Sequence, residues 1–154
     1  MKEATLCFLI NDNKILLGMK KRGFGEGKYN GFGGKPQGDE TILEAAVREM
    51  QEESNIKVSA NHLQKKAELT FVFSTKPEWN QTVHVFTVTQ WENEPLESEE
   101  MKPEWFSHSE IPFHQMWNDD QHWLPLVLNN QNIQATFVFA ADNETIKEFT
   151  IKKI

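Results

Sequence analysis

The sequence predicts an α+β domain in which helices pack on a sheet, and two observations predict this fold class. Several short segments alternate apolar and polar residues with the period of two that is typical of strands. The segment Ile42–Glu53 instead repeats apolar residues with the period of a helix. The 154-residue chain shows no repeat, linker or low-complexity tract that would divide it. We therefore expect one domain over residues 1–154.

Two strands are predicted near the N-terminus. Thr5–Ile10 (TLCFLI) and Lys14–Met19 (KILLGM) flank the turn-forming sequence NDN, which predicts a hairpin. The next stretch holds seven of the eight glycines between Gly23 and Gly38 and is too broken for regular structure. Because it is also too long for a simple turn, we interpret it as a functional loop.

The helix predicted over Ile42–Glu53 has a signal at each end. Thr41 and Glu44 match the T-x-x-E capping box that begins many helices. After the helix comes Asn55, and asparagine adopts the left-handed conformation that ends helices more easily than other non-glycine residues. The boundaries are therefore well marked in the sequence.

The second half of the chain predicts more strands and one more helix. Four segments alternate as strands do: Leu69–Phe73, Val83–Val88, Ala135–Phe139 and Glu148–Lys153. A helix is predicted over Asp119–Leu128 from the spacing of Trp123, Leu124 and Val127, although Pro125 lies in its middle. The acidic segment between these groups, residues 92–100, is expected to be an exposed connection.

Composition limits the expected partners and location. The net charge is −7, which disfavours nucleic acid polymers and anionic membranes. The only apolar run near the start is too short for an export signal or a membrane span. A single cysteine, Cys7, excludes a disulfide framework and favours a reducing compartment, so we expect a cytoplasmic protein.

Three glutamates lie on one side of the first predicted helix. Glu49, Glu52 and Glu53 fall within about a third of the helix circumference. Their repulsion, close to the negative end of the helix dipole, destabilises the helix. One explanation is a solvated charged face in which Arg48 pairs with Glu52. The other is a site for Mg²⁺ or Mn²⁺, cations that prefer carboxylate oxygens.

The surrounding residues favour the second explanation. Gly34, Glu40 and the run REMQEESNI, residues 48–56, have the spacing of a long and specific motif. This pattern over residues 34–56 resembles the box of the Nudix hydrolase family, and it departs at one position, where Asn55 replaces a glycine. Asparagine can adopt the same left-handed backbone conformation.

The resemblance implies a fold, a reaction and a metal site. It implies an α/β/α sandwich with a mixed, curved sheet, and hydrolysis of a nucleoside diphosphate that is linked to another group. It also implies that Arg48 braces the catalytic glutamates, and that Glu53, Glu52 or Glu100 orients or deprotonates water; the sequence does not choose among these three. The implied Mg²⁺ ligands, with Mn²⁺ as a substitute, are Gly33, Glu49, Glu52, Glu53 and Glu100.

Segments outside the box are similar to a branch of the family that cleaves oxidised purine nucleoside triphosphates, such as 8-oxo-dGTP and 2-hydroxy-dATP, to monophosphate and pyrophosphate. These segments are GMKKRGFGEGKYNGFGGK, ESEEMKPEWF, IPF and MWNDD. The chain departs from this branch in TKPEWNQT, residues 75–82, which is about one residue longer, and at Asn118, where proline is usual. The implied substrate-binding residues are Thr5, Lys20, Phe24, Asn30, Phe32, Gly33, Gly34, Lys35, Phe71, Trp117, Asp119 and Asp120.

Asp119 and Asp120 have two interpretations. They could be an anion pair that the N-terminus of a helix stabilises. In an aromatic pocket they could instead read a purine edge, because two adjacent buried carboxyls do not both ionise easily and one can donate while the other accepts. The resemblance favours the second interpretation.

Two alternatives to an oxidised-purine hydrolase remain from the sequence. One is a Nudix pyrophosphatase of other specificity, acting on general dNTPs or nucleotide sugars; the MWNDD segment would be irrelevant to a sugar substrate. The other is a catalytically silent nucleotide-binding module, which would require lost glutamates. None of the three box glutamates is lost. We expect the enzyme to act as a monomer on a small nucleotide.

Overall fold

The computed structural model describes all 154 residues, in eight strands and two α-helices. The helices are α1 (Ile42–Ser54) and α2 (Asp120–Leu128). The strands are β1 (Lys2–Asn11), β2 (Lys14–Lys20), β3 (Tyr29–Asn30), β4 (Gln64–Phe73), β5 (Gln81–Val88), β6 (Met101–Ser107), β7 (Ile133–Phe139) and β8 (Ile146–Lys153).

All eight strands belong to one mixed sheet. Seven strands follow the order β3-β2-β1-β5-β4-β7-β8, and the eighth, β6, pairs with β2. The pairs β1–β5 and β4–β7 are parallel, whereas the other pairs are antiparallel. Neither helix has the length and apolar character that a membrane crossing requires.

The sheet is the middle layer of a sandwich, because each of its faces carries a separate core. On one face, Cys7 of β1 packs in a cluster with Ala46 and Met50 of α1. On the other face, Phe8 of β1 packs with Trp123 of α2, with ring centroids 6.1 Å apart. Successive side chains of a strand point to opposite faces, so β1 contributes to both cores. The predicted α+β sandwich is confirmed.

Helix α1 has the predicted ends. The Thr41 hydroxyl accepts a bond from the Glu44 N–H at 3.1 Å, and the Glu44 carboxylate accepts one from the Thr41 N–H at 2.9 Å. Asn55 follows the helix in the left-handed conformation, with φ of 70°. The capping box and the asparagine stop are therefore both present, and the helix is one residue longer than predicted.

The predicted N-terminal hairpin is paired only beside its turn. Strands β1 and β2 are partners at Ile10–Ile15 and Asn11–Lys14 and then separate. Residues 29–34 fill the gap: β3 pairs with β2, and Phe32 and Gly34 bond to β1. Part of the glycine-rich loop is thus regular structure, contrary to the prediction. This insertion places the backbone of Gly33 and Gly34 at the centre of the sheet.

Two strands were absent from the prediction. β3 has only two residues, too few for a pattern. β6 contains Pro103 and polar residues, and its pairing with β2 depends on residues about 85 positions earlier in the chain. The predicted strands β4, β5, β7 and β8 are all present and extend further than predicted. Helix α2 retains Pro125, because burial of Trp123, Leu124 and Val127 outweighs the lost hydrogen bond.

Candidate active site

One cavity of about 590 Å³ opens between the α2 side of the sheet and the glycine-rich loop. Such a volume is in the range of small-molecule sites, roughly 300–1,000 Å³. The cavity has an aromatic end near the start of α2 and a polar end near Glu53. The structure brings most of the predicted residues to its wall: Thr5, Lys20, Phe24, Asn30, Gly33, Gly34, Lys35, Glu53, Phe71, Trp117, Asp119 and Asp120.

Asp119 and Asp120 form a buried carboxyl pair at the aromatic end. They are 3% and 2% exposed. Asp119 accepts a hydrogen bond from the indole N–H of Trp123 at 2.8 Å and makes no helix-capping bond. One oxygen of Asp120, Oδ2, has no hydrogen-bond partner in the protein. Asp119 thus does not act as a side-chain cap, and an open polar atom is left for a ligand.

Burial controls the protonation of this pair. Loss of solvent raises the pKa of Asp119 to about 6, although the bond from Trp123 acts in the opposite direction. The pKa of Asp120 is raised further above its ordinary value, by burial and then by the charge of Asp119. Near neutral pH one carboxyl therefore holds a proton while its neighbour accepts, which provides a donor and an acceptor side by side.

Aromatic rings form the walls of the cavity around this pair. The ring of Phe24 stacks on Trp117, with centroids 5.1 Å apart, and is edge-to-face with Trp79, with centroids 4.9 Å apart. Phe71 and Phe139 add further walls. Trp79 was not predicted as a site residue, and the only signal for it was the departure of residues 75–82 from the family pattern.

The polar end of the cavity is built by close approach of α1 to the inserted loop. The buried carboxylate of Glu53 accepts a hydrogen bond from the Gly33 N–H at 2.9 Å. A side chain at position 33 would lie 1.8 Å from the Thr5 carbonyl oxygen, and one at position 34 would lie 2.6 Å from the Glu49 carboxylate. Only glycine fits at position 33, where the obstacle is backbone, whereas a side chain at position 34 would displace the carboxylate of Glu49.

Arg48 fixes the acidic face of α1. Its guanidinium bonds the Glu40 carboxylate through two nitrogens, at 2.7 and 2.9 Å. It also bonds Glu49 at 2.9 Å, Glu52 at 3.2 Å and the Lys35 carbonyl at 3.1 Å. The pairing of Arg48 with Glu52 was expected from the sequence. The two hydrogen bonds to Glu40 are shorter than the bond to Glu52, and they tie α1 to the loop before it.

Glu100 lies just before β6 and is also held by cationic side chains. Its carboxylate bonds the Lys20 ammonium at 2.9 Å and the Arg22 guanidinium at 3.1 and 3.2 Å. The charge of Glu100 raises the pKa of Glu53, and that of Lys20 lowers it. These four side chains therefore interact electrostatically although they come from three distant segments.

The chain matches the model of the NUDIX domain over residues 1–127. The chain belongs to the Nudix family. It is 42% identical to the oxidized purine nucleoside triphosphate hydrolase of Mus musculus over 97% of this chain and 94% of the mouse protein. It is 47% identical to the protein of that name from Danio rerio, over 90% and 86% of the two chains. A crystal structure of a MutT protein from Bacillus halodurans superposes with a TM-score of 0.85 at 27% identity, covering 99% and 98% of the chains.

Nudix hydrolases generally need a divalent metal, and the polar end of the cavity has the character of such a site. Burial, followed by the charge of Glu49, raises the pKa of Glu53 to about 8, although the bond from Gly33 lowers it. A cation would relieve this cost. The carbonyl of Gly33 accepts no hydrogen bond. The donors are hard oxygen atoms, which suit Mg²⁺ and Mn²⁺.

The acidic side chains are not gathered around one point as they stand. No three of them converge closely enough to hold a metal ion. Arg48 lies between Glu49 and Glu52, and Lys20 holds Glu100. The cationic side chains of this Nudix protein therefore neutralise Glu49, Glu52 and Glu100 in part, whereas Glu53 has no ion pair.

Phe32, a predicted substrate contact, and Asn118, a departure from the family pattern, both lie outside the cavity wall. Phe32 does not line the cavity, because its ring is fully buried in the α1-side core while its backbone pairs with Cys7. Phe32 was predicted to contact the substrate; in the structure its side chain instead packs in the core. Asn118, at the position where proline is usual, donates a hydrogen bond to the Glu144 carbonyl at 2.7 Å and so ties the loop before α2 to the β7–β8 turn.

Proposed function

We propose that this Nudix enzyme hydrolyses oxidised or modified purine nucleoside triphosphates, of the 8-oxo-dGTP and 2-hydroxy-dATP type, to monophosphate and pyrophosphate. The observation that carries the proposal is the layout of one cavity, which runs from the buried carboxyl pair of Asp119 and Asp120 to Glu53. A nucleotide has a base at one end and phosphates at the other, and the two ends of the cavity match these groups. Such an enzyme would remove damaged precursors of DNA.

The aromatic end is proposed to bind the base. Trp117 offers a stacking surface, and the buried oxygen of Asp120 that has no partner in the protein is available to the base. An oxidised purine differs from its parent in the donors and acceptors on its edge. A carboxyl pair that shares one proton can bind either arrangement by moving that proton from one carboxyl to the other. This property would let the pocket accept more than one lesion. Thr5 and Asn30 are proposed to bond the base, with Phe24 and Phe71 as walls.

The polar end is proposed to hold the phosphates and a divalent cation. The cation would be held by Glu49, Glu52, Glu53, Glu100 and the Gly33 carbonyl, with Mg²⁺ as the expected ion and Mn²⁺ as a substitute. When bound, it supplies positive charge that neutralises the polyphosphate and polarises the phosphorus under attack. Lys20 and Lys35 provide further positive charge at this end of the cavity. Gly34 leaves room for the carboxylate of Glu49.

Water is the proposed nucleophile, and a carboxylate takes its proton. Three groups are candidates for this base: Glu53, Glu52 and Glu100. Glu53 is buried and oriented by the Gly33 N–H, whereas Glu52 is exposed and Glu100 is held by Lys20. Changing each to glutamine and measuring kcat together with metal affinity separates the roles. The base is the position where kcat falls while metal affinity is kept.

The enzyme is also proposed to act as a monomer in the cytoplasm, on free nucleotides. All groups of the proposed site come from one chain, and the net charge of −7 disfavours nucleic acid polymers. Size-exclusion chromatography with light scattering tests the monomer, and cell fractionation tests the compartment. A dimer that persists at nanomolar concentration would contradict the first proposal.

A substrate panel with Mg²⁺ tests the function. It compares 8-oxo-dGTP and 2-hydroxy-dATP with ordinary dNTPs, ADP-ribose and a nucleotide sugar, and it identifies the products. We expect monophosphate and pyrophosphate from the oxidised purines with the highest kcat/KM. Faster hydrolysis of ordinary dNTPs or of the nucleotide sugar would favour a Nudix pyrophosphatase of other specificity. Release of inorganic phosphate from the triphosphate end would contradict the proposed bond cleavage.

A further inference from the structure

Three aromatic rings from three separate segments line the aromatic end of the cavity. Phe24 comes from the glycine-rich loop, Trp79 from the β4–β5 connection and Trp117 from the loop before α2. Phe24 lies between the two tryptophans, stacked on Trp117 at 5.1 Å and edge-to-face with Trp79 at 4.9 Å. Aromatic pairs at these distances attract each other beyond the effect of the buried area. The rings therefore form one connected arch.

Trp79 is the fixed side of this arch. Its segment is a short 3₁₀ turn, Pro77–Trp79, held at both ends. The Asn80 side chain accepts a hydrogen bond from the Phe73 N–H at 2.7 Å, and the Lys2 ammonium donates one to the Glu78 carbonyl at 2.9 Å. The Trp79 indole is also edge-to-face with the ring of Phe73, with centroids 5.5 Å apart. These contacts anchor the turn to β1 and β4.

Phe24 is the movable side. Its side chain is 48% exposed although it is large and apolar. Both of its neighbours, Gly23 and Gly25, have positive φ values of 80° and 86° and no side chain that restricts the backbone. The ring is held mainly by its contacts with the two tryptophans. A ligand could therefore enter when the Phe24 ring leaves them.

We propose that Trp79 is the wall on which Phe24 docks, and that this contact closes the base pocket and determines how strongly the enzyme discriminates among purines. The inference rests on the proposed function. A closed pocket excludes water, so a hydrogen bond that the purine edge fails to make with Asp119 or Asp120 is not replaced by solvent. An open pocket admits water and weakens the penalty for the wrong base.

The proposal is tested by binding, independently of metal and of catalysis. Titration calorimetry in EDTA measures the Kd of 8-oxo-dGMP and of dGMP for the wild type, Trp79→Ala, Phe24→Ala and the double variant. We expect each single variant to weaken 8-oxo-dGMP binding about tenfold, the size expected for loss of one aromatic wall. The dGMP affinity should change less, so the ratio of the two Kd values should fall.

The double variant distinguishes docking from two independent contacts. If Phe24 acts by docking on Trp79, removal of both rings should weaken binding about as much as removal of one. Independent contacts would instead give losses that multiply, to about a hundredfold. Trp79→Phe should restore most of the discrimination, because it keeps an aromatic ring on which Phe24 can dock.

Trp91→Ala is the matched control. Trp91 packs on Trp105 at 5.9 Å, in the α1-side core and away from the cavity. It should leave both Kd values unchanged, with folding of every variant checked by thermal unfolding. If the wild type discriminates but Trp79→Ala and the Phe24 variants do so equally well, the inference is wrong and the proposed function is unaffected. If the wild type neither binds 8-oxo-dGMP nor hydrolyses the triphosphate, the proposed function fails and the inference fails with it.

Discussion

At the scale of single residues, the site depends on carboxyl groups that the fold places where water is scarce. Glu53, Asp119 and Asp120 are each at most 5% exposed, a rare environment for acidic side chains. Burial favours the protonated form of each, and no cation of the protein makes a hydrogen bond to any of them. Such groups cost stability unless a ligand supplies charge or hydrogen bonds, which is consistent with a binding role.

The variant Glu53→Gln tests the acidic face at this scale. Glutamine keeps the oxygen that accepts the Gly33 N–H and removes the charge. We expect kcat to fall at least about 100-fold, because both a ligand charge and a candidate base are lost. The melting temperature should not decrease, since the volume and the hydrogen bond are retained. Glu148→Gln, on exposed β8, is the control and should match the wild type in both measurements.

The pair of Asp119 and Asp120 predicts an unusual dependence of stability on pH. A carboxyl whose pKa is raised by folding contributes its full stability below its ordinary value of 3.8, and the stability decreases as the pH rises through the folded value, about 6 for Asp119. Asp120→Asn mimics the protonated partner. Asparagine has no proton to lose when the chain unfolds, so the variant should be more stable than the wild type at pH 8.

The measurement is the free energy of unfolding in urea at intervals from pH 4 to pH 8. At pH 4 the wild type and Asp120→Asn should differ little, because the wild-type pair is largely protonated there. Asp39→Asn, at an exposed aspartate just before α1, is the comparison for the general effect of removing one charge. Profiles for Asp120→Asn and wild type that run parallel over the whole range would contradict the raised pKa values.

At the scale of elements, the end of α1 explains how one departure from the family pattern is tolerated. Asn55 holds φ at 70° and donates a bond from its side chain to the Glu94 carbonyl at 3.2 Å. Asn55→Gly suits the left-handed backbone but loses that bond, so its stability should be within about 0.5 kcal/mol of the wild type. Asn55→Ala lacks both advantages and should be less stable by about 1–2 kcal/mol. Urea unfolding measures both; equal stability of the two variants would contradict this account.

The elements that the sequence predicts are those whose signals are local. Helix α1 has its cap, its apolar period and its stop within fifteen residues, from Thr41 to Asn55, and the structure confirms them. Strand β6 was missed, because Pro103 disrupts its pattern and its stabilisation comes from the distant strand β2. The insertion of Phe32 and Gly34 beside β1 was missed for the same reason. Tertiary pairing decides these segments, and one sequence does not display it.

The site follows the same division. The box glutamates and the pair of Asp119 and Asp120 have local spacing. The structure places Glu53, Asp119 and Asp120 at the cavity, whereas Glu49 and Glu52 pair with Arg48 outside it. Phe32 is apolar and adjacent to glycines, so local sequence does not distinguish a pocket wall from a core residue. Trp79 lines the pocket because the β4–β5 connection is held against β4 and β1 through contacts made by Asn80 and Lys2. Its role could not be read from the segment alone.

At the scale of the whole molecule, the cavity links the two cores and the acidic face, so that ligand binding should stabilise the entire fold. Residues of β1, β4, β5, β7 and the start of α2 line it together with Glu53 of α1. A ligand that binds only the folded state adds about 2.7 kcal/mol at a concentration 100 times its Kd. For a domain of 154 residues this corresponds to a rise in melting temperature of about 5–10 °C.

Thermal unfolding with and without ligand tests this expectation. Mg²⁺ alone should raise the melting temperature by a small amount, because it neutralises repulsion on the α1 face, and Mg²⁺ with a non-hydrolysable 8-oxo-dGTP analogue should give the full rise. The variant Glu49→Gln should lose the effect of Mg²⁺ alone but keep stabilisation by 8-oxo-dGMP, since the base end of the cavity does not include Glu49. If Mg²⁺ stabilised wild type and Glu49→Gln equally, the ion would be acting at another surface and the assigned ligands of the metal would be wrong.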